Sequence, residues 1–166
     1  KIMNNSYENS VYMGMMQNSL QRKKTILETI LENTKEQENL LKKEPFEEQH
    51  FMAILDEKGN AIDELNQMDE GFDALFRKVE KDILAQPELF KEQIQSMQVL
   101  IREISGLAAQ IQALEHQNSD RMEIYLSCQK KKIRDYHVSH RTATNYYQNM
   151  SNVHRQDQSY FFNEKK

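Results

Sequence analysis

Apolar residues recur along this chain at the three- and four-residue spacing of helices that bury one face, and they do so in three blocks. In the middle block Leu55, Ile62, Asp69, Phe76 and Ile83 stand seven residues apart, with Lys58, Leu65, Phe72 and Val79 as a companion row. Interleaved rows of this kind are the a and d positions of a coiled coil, interrupted here only by Lys58 and Asp69. The third block repeats the pattern with Phe90, Met97, Ile104 and Ile111 beside Leu100, Leu107 and Leu114. Asn118 then stands where an apolar residue is due, and a buried polar residue in a seam fixes register. Helical spacing resumes at Met122, Tyr125 and Cys128. The first block is looser: Leu20, Leu27, Ile30, Leu31, Leu40 and Leu41 supply a stripe, with Thr34 and Gln37 as weak points.

Two prolines separate the blocks. Lys42-Lys43-Glu44 before Pro45 and Glu47-Glu48 after it suit a helix end followed by a helix start, with Pro at the first helical position. Gln86-Pro87-Glu88 repeats the logic. The pattern therefore predicts an all-α protein: an elongated antiparallel three-helix coiled-coil bundle over residues 1–128, with helices at about 10–43, 46–84 and 88–128. Residues 129–166 form a C-terminal extension and tail. Helix 46–84 is about 58 Å long, whereas a helix from 88 to 148 would reach roughly 90 Å and overrun it. The excess predicts a long, partly projecting C-terminal helix.

Within that extension Ile133, Tyr136, His140, Ala143, Tyr147 and Met150 make a second stripe, one position out of step with the seam through Ile104 and Ile111. Between Arg121 and Asn145 six basic residues face two acids, although the whole chain carries a net charge of −4. The functional reading is a partner-binding segment with Ile133, Tyr136, His140, Tyr147 and Met150 as anchors, extended by Tyr160, Phe161 and Phe162 near the C-terminus. The competing reading is a stripe that packs on the first helix or on a second copy of the chain, making a structural, self-associating coiled-coil protein or homo-oligomer. Met13, Met15 and Met16 form a further adaptable apolar patch.

Composition narrows the classes. Four Gly, two Pro and no Trp leave too few turn residues for a sheet protein. The acidic balance gives no reason to expect nucleic-acid binding, and Lys130-Lys131-Lys132 reads first as a solvated run. No window approaches 18 apolar residues, so no membrane span is expected, and residues 1–17 lack the apolar core of a secretory signal. The single Cys128 suits a reducing cytoplasm.

Candidate chemistry is sparse. Glu47-x-x-His50 is half of a di-iron carboxylate motif without its second half. His137 and His140 stand three apart, with His154 as a conceivable third ligand, but no acid or thiol completes a metal site. Phosphate loops, nucleophile elbows and Cys-x-x-Cys pairs are missing from the sequence. No catalytic residue, metal or cofactor is assigned, and the chain reads as a non-enzyme.

The stretch Glu57-Lys58-Gly59-Asn60-Ala61-Ile62-Asp63-Glu64-Leu65-Asn66-Gln67-Met68-Asp69-Glu70-Gly71-Phe72 resembles the signature region of FlgN-like flagellar export chaperones. An acid–Lys pair leads into Ile, Leu, Met-Asp and Phe at that family's offsets. The likeness spans about residues 20–130 and is distinctive over 55–76. It implies a cytoplasmic bacterial chaperone that keeps flagellar hook-associated, hook–filament junction proteins unassembled and delivers them to the type III export apparatus. It also implies cargo contacts in the C-terminal helical region.

Overall fold

The computed structural model describes residues 2–127 and 133–162, with side chains over 5–127 and 136–150. Over the described residues the chain is all-helical, with four packed helices: α1 (Ile2–Leu41), α2 (Glu48–Ala85), α3 (Lys91–Leu126) and α4 (Ile133–Phe162). Pro87 opens a 3-10 turn, Pro87–Phe90, that leads into α3. Pro45 behaves differently from the expectation: α2 begins at Glu48, three residues later. The delay has a packing cause. Phe46 turns its ring onto Tyr125 and Phe51, with centroids 4.4 and 5.6 Å away, before the helix starts.

Side-chain pairings give the helix directions. Asn9 donates to Asp82 at 2.7 Å, Lys23 to Asp69 at 2.6 Å and Gln37 to the Phe51 carbonyl at 3.3 Å, so α1 and α2 run antiparallel. Lys58 pairs with Glu115 and Tyr125 donates to Glu48, so α3 reverses α2. Lys24–Glu103 and Arg121–Glu38 accordingly join α1 and α3 in parallel.

The projecting helix is not observed. α3 ends at Leu126, where the Ser127 N–H bonds the Glu123 carbonyl at 2.9 Å and the Ser127 hydroxyl donates to the Ile124 carbonyl at 2.7 Å. The chain then folds back: Tyr136 meets Phe51 and Tyr146 meets Asp69, so α4 runs parallel to α2 and antiparallel to α3. An amphipathic stripe left in water would forgo about 1.5–3 kcal/mol for each large side chain. Folding back buries it.

The core falls into two apolar clusters. The longer one runs from Met13 to Leu31 on α1, through Ile62, Leu65, Val79 and Ile83 on α2, to Met97, Ile104 and Ile111 on α3. The shorter one gathers Leu40, Phe51, Ile54, Met122, Leu126 and Tyr136. Between them lies a buried polar layer of Thr34 and Gln37 from α1, Lys58 from α2, and Glu115, Asn118 and Ser119 from α3. Lys58 donates to both Glu115 and Gln37, the latter at 2.6 Å. Asn118 donates to the Thr34 carbonyl at 3.1 Å, and the Thr34 hydroxyl to the Ile30 carbonyl at 2.7 Å. Burial drives the Lys58 amino group below its ordinary value, against the attraction of Glu115. The seam interruptions at Lys58, Thr34, Gln37 and Asn118 are therefore one structure.

Two stability outcomes follow. Lys58→Met leaves a buried carboxylate alone and should lower unfolding free energy by about 3–5 kcal/mol, while Lys58→Met with Glu115→Leu should recover most of that loss. Denaturant titration of both singles and the double checks it, and simply additive losses would deny the coupling. At Gly71, inside α2, a Cβ would meet nothing within 4 Å. Gly71→Ala should stabilise by about 0.5–1 kcal/mol, read as a rise in denaturation midpoint.

Candidate partner-binding face

α4 lies over α2 and α3 with its stripe turned inward. Tyr136 is 2% exposed, Tyr147 0% and Met150 3%, and Ala143 and Tyr146 are buried beside them. Three of the anchors assigned from sequence, Tyr136, Tyr147 and Met150, thus sit in the interior of the folded chain. Their spacing was read as a partner face because a stripe shows only that a helix buries one side, not against what. His140 is half-buried, its ring stacked on Tyr136 at 5.9 Å with 14° between the planes. Over the described side chains, 136–150, the outer side of α4 is polar apart from Val138, 55% exposed. Ile133 opens α4, and Tyr160, Phe161 and Phe162 close it. The side chains of those four residues, and all of Cys128 and Lys130–Lys132, lie outside the described residues.

The underside of α4 mixes good and poor polar matches. Tyr146 donates to Asp69 at 3.2 Å, and Asp69 also receives Lys23. Ser119 hydrogen-bonds Tyr136. In contrast, the Tyr147 hydroxyl and His140 Nδ1 are buried without a hydrogen-bond partner. Burial raises the phenols of Tyr136, Tyr146 and Tyr147 above their usual range, and nearby carboxylates add to this: Glu115 at Tyr136 and Tyr147, Asp69 at Tyr146. All three remain protonated donors at neutral pH.

Clefts border α4. One, of about 570 Å³, opens between α1, α2 and α4 and is walled by Lys23, Asp69, Phe72, Asn145 and Tyr146. A second, of about 440 Å³, lies between α3 and α4 and is lined by His116, His140 and Thr144. A third, of about 370 Å³, is lined by Lys58 and Glu115 of the polar layer together with Tyr136 and His140. Among the described residues no group of three or more His, Cys, Asp or Glu is placed to hold a metal. His50 bridges Glu47 and Glu36 at 3.3 and 3.0 Å on the surface. Also among the described residues, no helix is long and apolar enough to cross a membrane.

Tyr146 and Glu115 escaped the sequence reading. Tyr146 follows Ala143 by three and precedes Met150 by four, so the stripe itself contained its signal. Glu115 belongs to the row Ile101, Ala108, Glu115, Met122, one position beyond the seam as read. No family model matches the chain, and no curated protein or solved structure matches it.

The two neighbouring tyrosines should respond oppositely to loss of the hydroxyl. Tyr146→Phe should cost about 0.5–1.5 kcal/mol through the lost bond to Asp69. Tyr147→Phe removes a buried hydroxyl without a partner and should be neutral or stabilise by about 1 kcal/mol. Thermal unfolding of both variants would show it, and equal losses would contradict the assigned hydrogen bonding.

Proposed function

We propose that this chain is a non-catalytic helix-binding protein, an export chaperone of the FlgN type acting in the bacterial cytoplasm. It shields an amphipathic helix of a hook–filament junction protein until that protein reaches the flagellar type III export gate. The resemblance over Glu57–Phe72 supports the family assignment. Within that stretch Lys58 ties α2 to α3 and α1, and Asp69 ties it to α1 and α4.

The observation that carries the reading is how α4 is seated. An amphipathic helix of this chain fills the groove over α2 and α3 through Tyr136, Ala143, Tyr147 and Met150, while two of its sealed polar atoms go unmatched. A groove that accepts one helix by apolar anchors at these intervals accepts another of the same pattern. In the partner-bound state α4 gives up its place, leaving the elongated antiparallel bundle of α1–α3 with a projecting C-terminal helix. Both freed faces then cover the partner. No bond is made or broken, and release is reversal of the exchange.

Loosening α4 should therefore tighten capture. Tyr146→Phe weakens its seat by about 1 kcal/mol, which should raise apparent affinity for a junction protein about fivefold. Calorimetric titration of both forms with hook-associated proteins tests this. Absence of binding by either form would refute the chaperone reading. Equal affinities would refute the exchange, and a concentration-dependent dimer without capture would favour self-association.

A further inference from the structure

We propose that the docking of α4 is coupled to pH through His140, proton uptake by its imidazole loosening the helix from the groove. The inference rests on the reading of α4 as a replaceable element, and it adds a control on that element.

The geometry carries it. A neutral imidazole needs only one of its nitrogens to donate, whereas the charged ring has two donors to satisfy. His140 Nδ1 is sealed and has no hydrogen-bond partner. As a bare lone pair it forfeits one contact; as an N–H it would be an unmatched donor of a charged group, a far larger penalty. The ring stacks on Tyr136, which sets its plane in the groove.

The charges facing His140 come from every element that packs on it. Lys58 approaches from α2, His116 from α3 and His137 from α4 itself, and each disfavours a proton on the ring. Glu115 of α3 favours one, but it is already joined to Lys58. The residues of α1 that reach this layer, Thr34 and Gln37, are neutral. Burial is the largest influence, and together these hold His140 below its ordinary value of 6.5 in the docked state.

The sign then follows. Well above pH 6.5 the ring is neutral whether α4 is docked or free, so docking is unaffected by protons. Below it the free helix takes up a proton that the docked helix refuses, so docking weakens as pH falls and levels off at the docked-state value. Each unit of separation changes the docking equilibrium tenfold.

Amide hydrogen exchange of the full chain alone, read as protection factors at pH 7.5 and 5.5, tests the coupling. Protection over 136–150 should fall relative to α3, by at most about tenfold over this window, and His140→Gln should abolish that difference while His137→Gln retains it. A flat profile in the native chain, or an unchanged pH response in His140→Gln, would overturn the proposal. If His140→Gln is already undocked at pH 7.5, NMR titration of the native imidazole decides: midpoint below 6.5 supports the coupling, at or above 6.5 overturns it. No partner is present, so failure here leaves the exchange reading standing, and failure of capture leaves the proton coupling standing.

Discussion

A lysine inside a helical bundle has to be answered, and the arrangement of this molecule follows from how Lys58 is answered. Its ammonium group has left water in the first third of α2 and is met by Glu115 of α3 and Gln37 of α1. Desolvating such a pair is costly, and its net contribution to stability is small or negative compared with apolar packing. Its effect is on register. Sliding α2 or α3 by a turn, about 5.4 Å, would strand a buried charge, and sliding α1 would take Gln37 away from Lys58. The apolar rows on either side could pack in several registers, since leucines and isoleucines are interchangeable to a first approximation. The polar layer allows one.

That layer also explains the position of α4. With Lys58 and Glu115 buried only among α1–α3, the side of the layer between α2 and α3 would remain open to water. Tyr136 and His140 line the cleft over it, and Tyr147 feels the Glu115 charge. α4 thus closes the low-dielectric environment of the ion pair while taking few hydrogen bonds of its own. A cover of this kind is held by apolar area and weakly specified by polar contacts. The same property underlies the proposed exchange of α4 for a partner helix and its proposed response to a proton on His140.

Much of the fold is legible in the sequence, and where it is not the cause is specific. Seven-residue rows locate α2 and α3, Pro87 marks the start of the latter, and Asn118 is buried as a polar seam residue. The division between α3 and α4 is not legible as a break, because the last glycine is Gly106 and the last proline Pro87. Its only trace is the shift of one position in the apolar stripe, which suits a rotated face of one long helix equally well as a new helix. Helix-length arithmetic favours projection only where the third helix continues past Leu126, and it ends there. The candidate site suffered from the same ambiguity: Tyr136, Tyr147 and Met150 do anchor a helix in a groove, and the groove belongs to this chain. Which partner answers a buried charge is likewise not a local property, as the separation between Lys58 and Glu115 in sequence makes plain.

The central claim is that α4 occupies a site a partner helix can take. Val138 and Asn60 are exposed residues of α4 and α2 that border the same cleft, so spin labels placed there, with Cys128 replaced by Ser, report the seat of α4 directly. The account expects a short, single distance in the chain alone and a shift to long, broad distances when a hook–filament junction protein is bound at saturation. A short distance that persists unchanged in the complex would contradict it.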